Sequence, residues 1–206
     1  MGDQNPFNYN GAGMVAMIGK NCVAIGADTR LGVGYQCVNN DFQKVFVMQD
    51  DIILGLTGLA SDIQTFHAKM KYKLKIYQLR ENRQMKASTF ASLVGTTLYE
   101  HRFGPFFVAP IVIGLQDGKP VICTYDSIGC QTDTEFFAVS GTAGENFYSL
   151  CEAYYQKNLE PEKLEDIVAN ALVSGNDRDI LAGLGGKVYL MTEEKITVKS
   201  LKTKLV

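Results

Sequence analysis

The fold is decided by a run of four short apolar segments: MVAMI (14–18), CVAIGAD (22–28), KVFVM (44–48) and DIILGLT (51–57). Each segment has the length of a β-strand and is rich in β-branched or other apolar residues. Glycine, lysine or paired acidic residues separate each segment from the next. Their nearly continuous apolar character indicates strands that are covered on both faces.

Two pairs of helices are predicted farther along the chain. The first pair comprises residues 59 to about 79, where apolar residues recur every three or four positions, and a helix with Ser88 as its N-cap. The second pair begins at a capping box, Thr142 with Glu145, and at Pro161, which suits the first turn of a helix. Further strand-like segments are FFVAPIVIGL (106–115), PVICTYD (120–126), TEFFAVSG (134–141), KVYLMT (187–192) and KITVKSL (195–201).

The order of these elements predicts the fold class. Groups of strands alternate with pairs of helices rather than with single helices, which favours an α+β fold over a doubly wound parallel sheet. We expect a four-layer αββα sandwich, in which two stacked sheets carry a helix layer on each outer face. The 206 residues show no linker-like change of composition, and 46% of them are hydrophobic, so a single domain is expected.

Composition argues against nucleic-acid and membrane partners. The chain has 20 lysines and arginines against 22 acidic residues, a formal net charge of -2, so no overall field attracts polyanions. The most apolar stretch, residues 106–115, has about half of the ~20 residues that a membrane helix needs, and the first residues do not resemble a secretory signal. Five cysteines without a C-x-x-C pair indicate reduced thiols inside a cell.

Familiar catalytic motifs are missing from the sequence, which has no P-loop, H-E-x-x-H or G-x-S-x-G. Its two histidines, His67 and His101, are expected to be solvated on helices, so a histidine-based triad or a zinc site is poorly supplied. Polar residues do stand at the ends of apolar strands and after a helix: Asp28, Lys44, Ser140 and the cluster Asp177, Arg178 and Asp179. Each alone is commonly structural, but together they suggest a site.

Six segments, in this order and spacing, resemble the beta subunits of the eukaryotic 20S proteasome: GADTR (26–30), DFQKVF (41–46), LTGLASD (56–62), YEHRFGPFF (99–107), VSGTAGE (139–145) and NDRDILAG (176–183). The resemblance extends from about residue 12 to the last strand. It implies the αββα sandwich of the N-terminal-nucleophile hydrolases, in agreement with the element order. It also implies one beta-type domain, residues 12–206, behind a short N-terminal extension, residues 1–11.

The resemblance also implies a catalytic arrangement that this chain matches only in part. In active members an N-terminal threonine attacks the peptide carbonyl with its hydroxyl and uses its own α-amine as base. Asp28 and Lys44 match the aspartate and lysine beside that threonine, and Gly58 matches the glycine whose N–H stabilises the oxyanion. Ser140 and Asp179 match the serine and aspartate that complete the arrangement.

Two positions depart from the pattern of active members. Family spacing places Ala12, after Gly11, where the threonine should be, and alanine has no nucleophilic atom. Ala182 stands where active members have a serine that orients the amine. The resemblance therefore implies that there is no catalytic residue, and that residues 1–11 stay attached because their removal needs the threonine. Asp28 and Lys44 are then expected to form an inward-facing pair that compensates charge.

The resemblance implies a non-catalytic subunit of the 20S proteasome core particle, which takes part in ATP- and ubiquitin-dependent protein degradation. Its expected partners are other beta subunits in a seven-membered ring, alpha subunits and a second beta ring, with no nucleic acid and no membrane. No cofactor and no metal are expected, although a divalent ion in the loop 175–183 stays an open question. The expected location is the cytoplasm and the nucleus.

Two other functions stay open from the sequence. One is an active N-terminal hydrolase of the threonine type that uses an unrecognised nucleophile, although Gly11, Ala12 and Gly13 offer no hydroxyl or thiol. Cys22 lies in the middle of a strand and is expected to pack as a small hydrophobic residue. The other function is a soluble binding module outside any particle. The aromatic segment FGPFF (103–107) with Tyr72, Tyr77 and Tyr99 could form a ligand cage, but these side chains are expected at helix or subunit contacts.

Overall fold

The computed structural model describes residues 5–201, which form twelve strands and five helices. The strands are β1 (Gly13–Gly19), β2 (Cys22–Asp28), β3 (Leu31–Val33), β4 (Gln36–Asn39), β5 (Val45–Gln49), β6 (Ile52–Gly58), β7 (Val108–Gln116), β8 (Lys119–Tyr125), β9 (Gln131–Thr134), β10 (Phe137–Gly141), β11 (Gly186–Thr192) and β12 (Ile196–Leu201). The helices are α1 (Pro6–Tyr9), α2 (Ala60–Glu81), α3 (Ala87–Tyr99), α4 (Gly144–Tyr154) and α5 (Pro161–Asn176).

The strands build two large antiparallel sheets and one small hairpin. The first sheet has the strand order β10-β1-β2-β11-β12, and the second has the order β5-β6-β7-β8-β9. Among residues 5–201, strands β3 and β4 pair only with each other. The two large sheets stack, because apolar side chains from both fill one core layer between them, including Ile25 of β2, Ile53 of β6 and Ile111 of β7.

A pair of helices covers the outer face of each sheet. Helices α2 and α3 pack on the second sheet, where Phe66 and Phe90 contact the same apolar cluster as Leu54. Helices α4 and α5 pack on the first sheet through a cluster that contains Phe147 and Leu172. The structure therefore confirms the α+β class and the four-layer αββα sandwich.

Several local predictions are also confirmed. Every residue of β2 and β6 is buried, as expected for strands covered on both faces. Asp117 and Gly118, both with positive φ, form the two-residue turn between β7 and β8. Pro161 occupies the first turn of α5. Within residues 5–201, no helix combines the length and apolar character that a membrane crossing requires.

Two predicted helix caps are wrong. The residue before α3 is Lys86, and Ser88 lies inside the helix, where its N–H donates to Gln116 Oε1 at 3.2 Å. The residue before α4 is Ala143, and no side chain in the described part of the chain caps this helix. Thr142 does not cap α4 because its hydroxyl is bonded elsewhere, to Asp179 and Ala12.

Candidate functional site

Asp28 and Lys44 form a buried ion pair at the ends of two strands. Lys44 Nζ lies 2.5 Å from Asp28 Oδ1, and the two side chains are 2% (Lys44) and 0% (Asp28) exposed. Asp28 also accepts the N–H of Gly13 at 2.8 Å and that of Gly183 at 3.1 Å. Lys44 Nζ is 3.5 Å from the carbonyl oxygen of Gly11. Asp28 ends β2, and Lys44 directly precedes β5. The pair therefore contacts Gly11 and Gly13, on either side of Ala12, and Gly183 in the loop after α5.

The surroundings of Lys44 act on its charge. Burial lowers the pKa of the Lys44 ammonium below its ordinary value, and the carboxylate of Asp28 opposes that shift. A charge buried this deeply is tolerated only with a partner at short range. The predicted inward-facing pair is present, and each member depends on the other.

Ala12 lies inside this site. It is 2% exposed and directly precedes β1. Its N–H donates to Thr142 Oγ1 at 3.2 Å, and its carbonyl oxygen lies 3.1 Å from that hydroxyl oxygen and accepts the N–H of Ala143 at 3.2 Å. The backbone of residue 12 is thus held on both sides, and its side chain supplies a methyl group with no atom that can attack a carbonyl.

Thr142 is a site residue that the sequence analysis missed. Its hydroxyl donates to Asp179 Oδ2 at 2.6 Å, and the other oxygen of Asp179 accepts the N–H of Leu181 at 2.9 Å. The sequence carries no local signal for this contact, because Thr142 followed by Glu145 has the spacing of a capping box. Asp179 therefore reaches Ala12 through Thr142.

Ser140 and Gly58 belong to a neighbouring part of the site. The Ser140 hydroxyl lies 2.7 Å from Thr57 Oγ1, and the carbonyl oxygen of Ala109 lies 3.1 Å from Ser140 Oγ and 3.2 Å from Thr57 Oγ1, within reach of either hydroxyl as donor. Ser140 therefore contacts β6 and β7 of the second sheet. The described hydrogen bonds of Ser140 do not include Asp179 or Ala12. Gly58, which ends β6, has φ +118°, and a Cβ there would collide with the carbonyl oxygen of Phe107.

The loop after α5 closes over the other side of the site. Ala182 is 7% exposed, and the next residue, Gly183, donates to Asp28. Arg30, itself 3% exposed, donates to the carbonyl oxygen of Leu181 at 2.8 Å and so holds this loop. In the described part of the chain, no group of three or more His, Cys, Asp or Glu side chains is placed to bind a metal ion.

The residues before Ala12 are anchored at the same place. Asn10 is 7% exposed; its Nδ2 donates to the carbonyl oxygen of Gly32 at 2.8 Å, and its Oδ1 accepts the N–H of Ala60 at 2.8 Å. The ring of Phe7 packs edge-on against Phe107, with 5.9 Å between the centroids. The described part of the segment before residue 12, residues 5–11, therefore packs against the domain.

The buried thiols are poor nucleophiles. Burial raises the pKa of Cys22 to about 11 and the pKa values of Cys123 and Cys151 to about 12. These thiols stay protonated at neutral pH, and Cys22 is fully buried, which confirms its predicted packing role. Its predicted place in the middle of a strand is wrong, because Cys22 is the first residue of β2. The other two cysteines, Cys37 and Cys130, are exposed and unpaired by disulfides.

The predicted solvation of the histidines is wrong for both, and His101 lies in the turn after α3 rather than on a helix. The ring of His67 is half-buried and stacks on Phe46 with 3.9 Å between the ring centroids. Burial, and secondarily the charge of Lys71, lower the pKa of His67. His101 is partly buried as well; its Nε2 lies 2.7 Å from Lys69 Nζ, and its ring packs against Phe106. Both histidines pack on the α2–α3 side of the molecule.

A family model for proteasome subunits matches residues 8–191. The chain belongs to the proteasome subunit family. Proteasome subunit beta type-3 of Picea mariana is 48% identical over 200 residues, which cover 97% of this chain and 98% of that protein. The probable proteasome subunit beta type-3 of Schizosaccharomyces pombe is 50% identical over 195 residues, covering 94% and 96%. Proteasome subunit beta type-3 of Saccharomyces cerevisiae is 43% identical over 200 residues, covering 96% and 97%.

These comparisons confirm a more detailed expectation from the sequence. The combination of DFQKVF (41–46), ENRQ (81–84) and YEHRFGPFFVAP (99–110) with a very short N-terminal extension predicts similarity to type-3 beta subunits. The similarity to relatives of that name extends over at least 94% of the chain in these three comparisons. The fold, the buried ion pair and the relatives therefore agree on the family.

Proposed function

We propose that this chain is a non-catalytic subunit of the proteasome core particle and takes part in ATP- and ubiquitin-dependent protein degradation. The observation that carries the proposal is the methyl group of Ala12, buried among the hydrogen bonds of Thr142 and beside the Asp28–Lys44 pair. Covalent peptide hydrolysis by the family mechanism needs a hydroxyl or thiol at this point. Loss of a nucleophile typically lowers turnover by a factor on the order of 10⁶.

The surrounding polar residues then have a structural role in this proposal. Asp28 and Lys44 compensate each other's charge, and Asp179 orders Thr142 and the loop at Leu181. Ala182 has no polar side-chain atom, whereas active members have a serine at this position that orients the α-amine of the N-terminal threonine. We propose that residues 1–11 stay attached to the domain of residues 12–206, and the packing of Asn10 supports this for the described part of the segment.

The subunit acts through its surfaces in this proposal. Its partners are other beta subunits in a seven-membered ring, alpha subunits and a second beta ring. The names of the relatives and the extent of the similarity support such an assembly. A heterologous contact between unlike faces closes into a ring when the rotation between subunits is right. We also propose a location in the cytoplasm and nucleus, in keeping with five cysteines that form no disulfide.

One contact favours a second candidate, an active hydrolase with an unrecognised nucleophile. The Thr142 hydroxyl is 2.6 Å from the Asp179 carboxylate and is bonded to Ala12, so a base and a hydroxyl do meet at the site. The same hydroxyl already contacts three atoms, the backbone N and O of Ala12 and Asp179 Oδ2, which favours a structural role. The two candidates differ in whether any residue of this chain reacts with an electrophilic substrate.

The experiment uses the assembly purified through an affinity tag on this chain. The assembly is treated with a biotinylated peptide whose electrophile reacts with catalytic hydroxyls, and its subunits are then separated. We expect biotin on other subunits, which serve as the internal control, and none on this chain. Biotin on this chain that disappears in Thr142→Val would establish the second candidate instead. A chain recovered outside any assembly would contradict the proposed function.

A further inference from the structure

The ring of His101 is hydrogen-bonded to a lysine of the neighbouring helix. His101 lies in the turn after α3, and its Nε2 is 2.7 Å from Nζ of Lys69, which belongs to α2. A lysine ammonium has three hydrogen-bond donors and no acceptor, so this ring nitrogen must supply the lone pair. His101 is therefore neutral in this contact, with its proton on Nδ1.

Phe106 packs against both members of this contact. The centroid of its ring is 4.7 Å from that of the His101 ring, which meets it edge-on, and 5.9 Å from Lys69 Nζ. Phe106 also packs edge-on against Phe66, a fully buried residue of α2. The contacts of His101, Lys69 and Phe106 therefore fasten residues 103–107 to α2.

Residues 103–107 in turn support the start of α2 and the end of β6. The N–H of Phe107 donates to Asp62 Oδ2 at 2.8 Å, and the carbonyl oxygen of Phe107 accepts the N–H of Leu59 at 2.8 Å. The same carbonyl oxygen lies against Gly58, where it leaves no room for a Cβ. One short segment therefore separates the His101 contact from Gly58.

The charges around His101 oppose a second positive charge on its ring. Lys69 faces the ring from α2, and Arg102, the next residue in the chain, is an exposed cation. Glu100 is near enough to interact with Lys69, Lys73 and His101. Its carboxylate is 3.0 Å from Lys73 Nζ and is already paired with it. A protonated imidazole would therefore face an ammonium at close range without a carboxylate of its own.

We propose that His101 is a pH switch: the neutral ring holds residues 103–107 on α2 through Lys69, and the protonated ring releases them. Histidine is the side chain that ordinarily changes its charge between about pH 5 and about pH 8. Protonation converts Nε2 from an acceptor into a donor that faces another donor, so the hydrogen bond is lost. The switch is independent of the proposed function, since all of its contacts lie within one chain.

The test measures amide hydrogen exchange of the full-length chain at about pH 7.5 and about pH 5.5, with rates corrected for the intrinsic effect of pH. Mass spectrometry follows the peptide of residues 101–107, whose N–H groups are hydrogen-bonded, and β2 as the reference. His101→Gln supplies an amide oxygen that accepts from Lys69 at either pH, and Lys69→Met removes the donor. The control, His67→Gln, changes the other histidine of the chain. Circular dichroism checks that each variant folds.

We expect the protection of residues 101–107 to fall about tenfold at the lower pH in the wild-type chain and in His67→Gln, while β2 is unchanged. His101→Gln should keep its protection at both pH values, because glutamine does not titrate. Lys69→Met should have the low protection at both pH values, because the hydrogen bond is absent throughout.

Equal protection of the wild-type segment at the two pH values would overturn the inference. A fall in His101→Gln as large as in the wild type would overturn it as well. If His101→Gln does not fold, Lys69→Met decides, since a full pH response without Lys69 contradicts the switch. A response that disappears only in His67→Gln would assign it to the ring stacked on Phe46 and would also contradict the switch.

Discussion

Lys44 Nζ and Asp28 Oδ1 lie 2.5 Å apart in a region closed to solvent, and this pair joins the end of one strand to the start of another. We expect Lys44→Met to lower the free energy of unfolding by about 3–5 kcal/mol, because the Asp28 carboxylate then stays buried without a partner. Urea denaturation of the full-length chain measures the change.

The matched control for Lys44→Met is the double variant Asp28→Asn/Lys44→Met. It removes both charges, and the amide oxygen of the new side chain at position 28 can still accept the N–H of Gly13. Its loss of stability should be smaller than that of Lys44→Met alone. If the double variant loses as much stability as Asp28→Asn and Lys44→Met lose when their separate losses are summed, the pair is not coupled.

Thr142 is expected to support the site through its hydroxyl. Thr142→Val keeps the size of the side chain but leaves the Ala12 N–H and the Asp179 carboxylate without their shared partner. We expect a loss of about 1–3 kcal/mol in the free energy of unfolding, and recovery of most of it in Thr142→Ser. If serine is as destabilising as valine, the methyl group of Thr142 and not its hydroxyl is what matters.

The strands and the layers could be predicted from sequence because buried segments have a recognisable apolar pattern. Residues of β2 and β6 are all buried, so both segments are apolar almost without interruption. The hairpin of β3 and β4 has no such apolar pattern, since every residue of β4 is exposed. It was therefore absent from the sequence-based prediction.

Site residues could be predicted only where the sequence matches a known family motif. Asp28 and Lys44 were found by resemblance, and the structure places them together. Thr142 was missed because its partners Ala12 and Asp179 are 130 and 37 residues away in the chain. The partly buried environment of His67 was missed for the same reason, since its stacking partner Phe46 comes from a strand and not from its own helix.

The segment before Ala12 is expected to depend on one buried amide. Asn10→Ala removes hydrogen bonds to Gly32 and Ala60, whereas Asn8→Ala changes an exposed residue of the same segment. We expect the first variant to be cut several times faster by a protease in residues 5–11, and the second to match the wild type. Equal cleavage of the two variants would show that Asn10 does not anchor the segment.

The five thiols should fall into two classes. Cys37 and Cys130 are exposed, and Cys22, Cys123 and Cys151 are buried. We expect a thiol reagent to label two cysteines of the folded full-length chain quickly and the other three only when the chain unfolds. Rapid labelling of a third cysteine would contradict the described packing.

The buried thiols should also make stability fall at alkaline pH. Folding raises their pKa values to about 11 and about 12, so the unfolded chain loses these protons first as pH rises through an ordinary thiol value. The free energy of unfolding should therefore decrease between about pH 8 and about pH 10. Cys151→Ala should show a shallower decrease than the wild type. Lys44, whose pKa is lowered, acts in the opposite direction and is unchanged in this comparison.

The most direct measurement of the central claim is the intact mass of this chain inside its native assembly. The assembly is treated with an electrophilic peptide, analysed by native mass spectrometry, and dissociated in the instrument so that single subunits are weighed. We predict a particle of many related chains that releases this one at a mass that still includes residues 1–11, with no peptide attached. A chain that begins at residue 12, or one that carries the peptide, would contradict a non-catalytic subunit with a retained N-terminal segment.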